Sequence, residues 1–128
     1  MLRLLLDTQA LVWALGNHPR LGPVARDAIT DPDNDAYVSA ASVWEITIKQ
    51  ALGKVRIPPD LTGRVEQDGF KGLPITLHHA EHAGGLTPIH RDPFDRLLIV
   101  QAQVEGLTIV TSDAVIPRYG VHTMSAER

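Results

Sequence analysis

Apolar and polar positions follow two rhythms along this chain. Residues 2–6 form a short apolar run broken only by Arg3, as expected of a strand buried on both faces. Asp7-Thr8 ends the run, and either residue can cap a helix over residues 9–15 that Gly16-Asn17 closes. Pro23 suits the first turn of a second helix running to about residue 29. Asp31-Pro32-Asp33-Asn34-Asp35 is a turn cluster. Residues 36–39 read as a second strand. A helix follows from Ala40 or Ala41 to Leu52, stopped by Gly53. Its apolar residues (Val43, Trp44, Ile46, Ile48, Ala51, Leu52) lie on most sides, which predicts a largely buried helix.

Past Pro58-Pro59 the signals are shorter. Asp60-Leu61 starts a helix ending near Gly69. Residues 73–77 read as a strand that Pro74 confines to a sheet edge, and residues 79–84 as a helical turn. The clearest unit comes late. Asp92 is placed to cap a helix with Pro93 at its first position, Asp95 at its third, and Gly106 at its end. Residues 107–111 then form a β-branched apolar strand, and residues 121–123 a last short one. Strands alternating with helices over short connections predict an α/β layer fold with a mainly parallel sheet of about four or five short strands.

At 128 residues the chain suits one domain, taken here as residues 1–128, and its 44% hydrophobic content suffices for a core. The absence of cysteine excludes disulfides, thiolate metal sites and thiol nucleophiles. The apolar N-terminal stretch is interrupted by Asp7 and Gln9 and lacks a cleavage pattern, so no signal peptide is expected. No window reaches the roughly 18 apolar residues of a membrane span. The expected location is the cytoplasm. The net charge of −3 runs against nucleic-acid binding by bulk electrostatics, so a local basic rim or a cation must supply positive charge.

The acids carry the chemistry. In a parallel sheet ligands bind beyond the carboxyl ends of the strands. Asp7 ends the first strand, and Asp113 follows the strand ending at Thr111. Glu45 and Asp95 fall near the N-termini of predicted helices. Four or five carboxylates meeting in one crevice repel one another and call for a cation. Hard oxygen ligands suit Mg²⁺ or Mn²⁺, and such a site suits phosphodiester hydrolysis. Each acid also has a purely structural account. Asp7 and Asp113 can cap helical turns. Glu45 lies three after Ser42, a capping-box spacing, and four before Lys49, an ion-pair spacing. Asp95 lies three after Asp92 in the same kind of box.

Four segments together resemble the acidic motifs of PIN domains, and more narrowly VapC-type toxins of bacterial toxin–antitoxin pairs. They are Leu4-Leu5-Leu6-Asp7-Thr8; Val38-Ser39-Ala40-Ala41-Ser42-Val43-Trp44-Glu45-Ile46; Arg91-Asp92-Pro93-Phe94-Asp95-Arg96-Leu97-Leu98-Ile99; and Ile109-Val110-Thr111-Ser112-Asp113. The resemblance spans nearly the whole chain. It implies α/β/α layers, with Asp7, Glu45 and Asp95 as the core metal-binding catalytic acids and Asp113 as the fourth, more variable one. Thr8, Thr111 and Ser112 match small hydroxyl positions beside the site, and Asp92 lies close enough to Asp95 to assist. The resemblance further implies Mg²⁺ or Mn²⁺, endonucleolytic cleavage of RNA, a homodimer, and a cognate antitoxin that blocks the site.

Lys49, Arg91 and Arg96 flank the acids and are candidate contacts for substrate phosphate, Arg96 foremost because it follows Asp95 directly. His78 and His82 have the spacing of a metal chelate, but the segment is not an H-E-x-x-H match and no further ligand is evident nearby. His90 borders the Asp92 turn and could meet substrate. Two other functions compete. One is a different metal-dependent phosphodiesterase, such as a flap-type DNA nuclease, although the chain lacks the length of a DNA-threading arch. The other is a silent interaction module, which predicts a missing core acid, whereas all are present.

Overall fold

A computed structural model describes all 128 residues. The chain order is β1 (Arg3–Leu6), α1 (Thr8–Leu15), α2 (Pro23–Thr30), β2 (Asp35–Ser39), α3 (Ala40–Ala51), α4 (Leu61–Gln67), β3 (Lys71–Leu73), α5 (Leu77–Gly85), α6 (Pro93–Glu105), β4 (Thr108–Thr111), a 3-10 turn (Ile116–Tyr119) and β5 (Thr123–Ser125). The five strands form one sheet in the order β3-β2-β1-β4-β5, and every pairing is parallel. From β1 the chain builds outward through β2 and β3, then returns to β4 on the other flank. The connections therefore diverge between β1 and β4, where an open parallel sheet leaves a crevice at its carboxyl edge.

Strand alternation sends neighbouring residues of β1 to opposite faces. Leu4 and Leu6 join a buried cluster with Leu11 and Trp13 of α1, Ala25 of α2 and Ile46 of α3. Leu5 joins Leu98, Ile99 and Ala102 of α6, with Ile109 and Ile116, on the other side. Helices thus cover both faces, giving the expected α/β/α layers. Leu4, Leu5 and Leu6 are fully buried. Truncating one to alanine costs about 2–5 kcal/mol.

The central elements lie where the pattern puts them, and the edges differ. The third strand falls at Lys71–Leu73, before Pro74 rather than across it, and it is indeed the edge strand. The last strand is Thr123–Ser125, two residues later than its apolar signal. Residues from 77 build a full helix because Thr76 caps it, its hydroxyl accepting from the His79 N–H at 3.1 Å. Helix α3 is capped by Ser39, whose Oγ accepts from the Ala41 N–H at 3.0 Å. Ser42 and Glu45 therefore lie inside the helix, and the capping-box account of Glu45 does not apply. Nor is α3 buried on most sides: Trp44, Ile48 and Leu52, spaced one turn apart, are exposed, with Trp44 set edge-on to Phe94 at 5.2 Å between ring centroids.

Candidate active site

Asp7 leaves the carboxyl end of β1 as the N-cap of α1. Its Oδ1 accepts from the Ala10 N–H at 2.8 Å, and its Oδ2 accepts from the Thr111 hydroxyl at 2.5 Å. The structural account of Asp7 is thus real, yet the cap engages one oxygen and leaves the carboxylate on the cleft. Burial raises its pKa; the Thr111 and Ala10 hydrogen bonds oppose that rise, and the charges of Asp113 and Glu45 add to it.

Thr8 turns into the α1–α3 contact. Its hydroxyl donates to Glu45 Oε1 at 2.6 Å and lies 3.1 Å from Ser42 Oγ. The other Glu45 oxygen pairs with Lys49 Nζ at 2.9 Å, as the four-residue spacing predicts. That hydrogen bond is the main reason the Lys49 pKa is raised. Glu45 is itself buried, and its carboxylate is held by one hydroxyl and one ammonium.

Asp92 caps α6, its Oδ1 accepting from the N–H groups of Phe94 at 2.8 Å and Asp95 at 3.2 Å. Asp95 does not complete a capping box. Its carboxylate faces the cleft and meets His90 Nε2 at 3.0 Å. Burial, followed by the charge of Asp92, pushes the Asp95 pKa up to about 7, and Asp7 and Asp113 push the same way against His90. Asp113 follows β4. Burial pushes its pKa up, but the N–H groups of Val115 and Ile116 on Oδ1, at 2.6 and 3.2 Å, together with His90, hold it below the ordinary value. Thr111 links the two strand ends, donating to Asp7 and accepting from the Asp113 N–H at 3.0 Å.

The five acids, Thr8 and Lys49 line one open cleft of about 540 Å³ with Gln9, Lys54 and Ser112. Asp7, Glu45, Asp92, Asp95 and Asp113 all reach it, and among its lining residues only Lys49 and Lys54 carry positive charge. Asp7 and Asp95, whose pKa values burial and the neighbouring carboxylates raise, have no lysine or arginine paired with them. Their hard oxygen donors fit a divalent cation. His90, Asp95 and Asp113 also offer ligand atoms within 4.8 Å of one another.

The basic candidates divide. Lys49 lines the cleft, and Arg91 lies in an adjoining groove with Lys54 and Phe94. Arg96 requires a correction. Its guanidinium donates to the carbonyls of Ala83, Leu86, Thr87 and His90, so it braces the loop before α6 rather than facing a phosphate. Adjacent residues on a helix diverge, and Arg96 points away from Asp95. Lys54 and Gln9 escaped the sequence reading; nothing local marks a lysine after a glycine turn as a cleft residue. The rings of His78 and His82 lie 4.0 Å apart, but no third ligand joins them.

An open parallel sheet with a carboxylate-lined cleft at its divergence point defines a class of α/β proteins built around an acidic site. Residues 4–121 match the PIN domain family, and the chain belongs to it. Among curated proteins no sequence match is found. Solved structures share the fold. VapBC2 from Rickettsia felis, bound to a DNA fragment from its promoter, aligns at a TM-score of 0.68 and 16% identity, covering 96% of this chain and 98% of that one. FitAB bound to an IR36 DNA fragment aligns at 0.66 and 16%, covering 98% and 96%. FitAcB from Neisseria gonorrhoeae aligns at 0.66 and 20%, covering 96% and 97%.

Proposed function

We propose that this PIN domain is an endoribonuclease dependent on Mg²⁺ or Mn²⁺, and the toxin of a toxin–antitoxin pair. The observation that carries the reading is the meeting of five carboxylates in one cleft, two of them with raised pKa and only two lysines to offset them. Asp7, Glu45 and Asp95 would hold the ion, with Asp113 as a fourth acid and Asp92 beside it. When bound, the ion supplies Lewis-acid polarisation of the phosphoryl oxygen and a water of lowered pKa.

The chain's own groups do the rest. Thr8 and Thr111 fix the rotamers of Glu45 and Asp7 through short hydrogen bonds, so the ligand oxygens are set before the ion arrives. Lys49, Lys54 and Arg91 lie where RNA phosphates flanking the scissile bond would pass, and Ser112 adds a hydroxyl at the cleft wall. Residues 1–128 act as one nuclease domain in this reading. The toxin assignment draws support from the shared fold of VapBC2 and the FitAB complexes. It entails a cognate antitoxin that blocks the cleft, a homodimer and a cytoplasmic setting.

The test is cleavage of a panel of tRNA, rRNA and mRNA by the purified chain. Activity should vanish in EDTA and return with Mg²⁺ or Mn²⁺. Asp7→Asn, which removes a ligand charge while keeping the shape and a cap acceptor, should lower cleavage by more than about a hundredfold with the fold intact. Cleavage that persists in chelator sinks the metal reading, and preferential cleavage of DNA sinks the RNA assignment.

A further inference from the structure

We propose that His90 is a positioning residue of this site: its Nε2–H ties the Asp95 carboxylate to the Asp113 carboxylate and orients both toward the ion. The inference rests on the metal-dependent reading above and adds a residue to it.

The loop that carries His90 is held with unusual care. Arg96 donates to three carbonyls of the segment between α5 and α6 and to the Ala83 carbonyl in the last turn of α5. The Tyr119 hydroxyl accepts from the N–H groups of Ile89 and His90, at 3.1 and 2.7 Å, and donates to the Thr87 carbonyl at 2.7 Å. Tyr119 belongs to the 3-10 turn whose first N–H groups are fixed by Asp113. The result is an imidazole, mostly buried, placed between two carboxylates, with Nε2 at 3.0 Å from Asp95 Oδ2 and 3.2 Å from Asp113 Oδ2.

Two roles fit an imidazole so placed, and its other nitrogen separates them. A ligating histidine uses one bare nitrogen for the metal and donates the other N–H to an acceptor. Here His90 Nδ1 accepts from the Asp92 backbone N–H at 3.2 Å. A nitrogen that accepts from a donor carries no hydrogen, so the ring N–H is on Nε2. Nε2 then faces two acceptors as a donor and has no free lone pair for a cation. The short distances among His90, Asp95 and Asp113 are those of a donor shared by two carboxylates, not of three ligands awaiting one ion. Asp113 has its Oδ1 on two backbone N–H groups and its Oδ2 on His90, so the imidazole completes the anchoring of that carboxylate. Asp95 keeps Oδ1 free of protein partners for the ion.

The experiment is a Mn²⁺ titration of the purified full-length chain, followed by electron paramagnetic resonance, with no RNA present. Wild type should bind Mn²⁺ and show no coupling to an imidazole nitrogen. His90→Ala should weaken binding about ten- to a hundredfold, the usual cost of losing a partner that orients a metal ligand. His90→Gln, which keeps an amide N–H at a similar reach, should stay within a few-fold of wild type. Nitrogen coupling in wild type, undiminished affinity in His90→Ala, or a His90→Gln as weak as His90→Ala each overturns the positioning role. A wild-type chain that takes up no Mn²⁺ instead overturns the metal reading on which it rests.

Discussion

Burial pushes the Asp95 and Asp113 carboxyls the same way, but hydrogen bonds reverse the net shift at Asp113, and the difference is testable as stability against pH. Asp95 is buried and then crowded by Asp92, Asp7 and Asp113, so its folded pKa rises from 3.8 to about 7. A raised carboxyl favours the protonated form in the fold. Its stabilising contribution is complete below the unfolded value and is lost as pH rises through about 7. Asp113 has the opposite sign: its contribution holds above its unfolded value and disappears in acid. Without divalent ions, the melting temperature of wild type should therefore fall relative to Asp95→Asn as pH climbs from the acid range past neutrality. Saturating Mn²⁺ should abolish the difference by supplying the missing counter-charge. Parallel pH slopes for the two proteins in EDTA would show that Asp95 carries no such strain. Asp92 allows a second separation. Asp92→Asn keeps an acceptor for the α6 cap, whereas Asp92→Ala loses it at a cost of about 1 kcal/mol. If its role is structural alone, the Asn variant should match wild type in both unfolding and cleavage. Loss of cleavage in a normally stable Asn variant assigns its charge to the site.

Among the elements, β1, α6 and β4 were legible and the sheet edges were not. A continuous apolar run or an Asp-Pro cap with a distant glycine is a local signal. β3 and β5 are three residues each and exist because β2 and β4 offer main-chain partners, a property no side-chain pattern records. The acids were legible for the same local reason: each stands where an apolar run ends or interrupts a helix face. His90 was not legible as a central residue, because only Arg96 and Tyr119, placed by tertiary structure, bring it in. The brace makes its own prediction. Arg96→Ala should lower unfolding free energy by about 2 kcal/mol or more, since several charge-assisted hydrogen bonds leave partly buried carbonyls bare. Arg96→Lys should recover little, because an ammonium cannot match a planar fork spread over four acceptors. Denaturant unfolding of the two variants measures this, and full recovery by lysine would mean that charge alone matters at that position.

Across the whole molecule the governing fact is where charge sits. The net charge is −3, and the cleft concentrates acids at the divergence of β1 and β4. No helix is long and apolar enough to cross a membrane. If RNA is the substrate, as proposed, its phosphates meet acids in the cleft and find positive charge at Lys49, Lys54 and Arg91, which border the cleft and its adjoining groove. Lys49 is partly neutralised by Glu45, which trims that charge further. On the proposed function, binding without strong bulk attraction then depends on few phosphate contacts and on the ion. Each neutralised phosphate of a single strand adds about 0.7 to the slope of log affinity against log salt. Three cations at most thus give a slope of roughly −2. An inactive Asp7→Asn chain, titrated with fluorescent single-stranded RNA over a range of monovalent salt at fixed Mg²⁺, should show that shallow dependence. Lys54→Ala should weaken binding to every RNA sequence alike and make the slope shallower by nearly one contact. A slope steeper than about −4 would require more cations than the three that border the cleft and its groove, and would overturn this account of RNA binding.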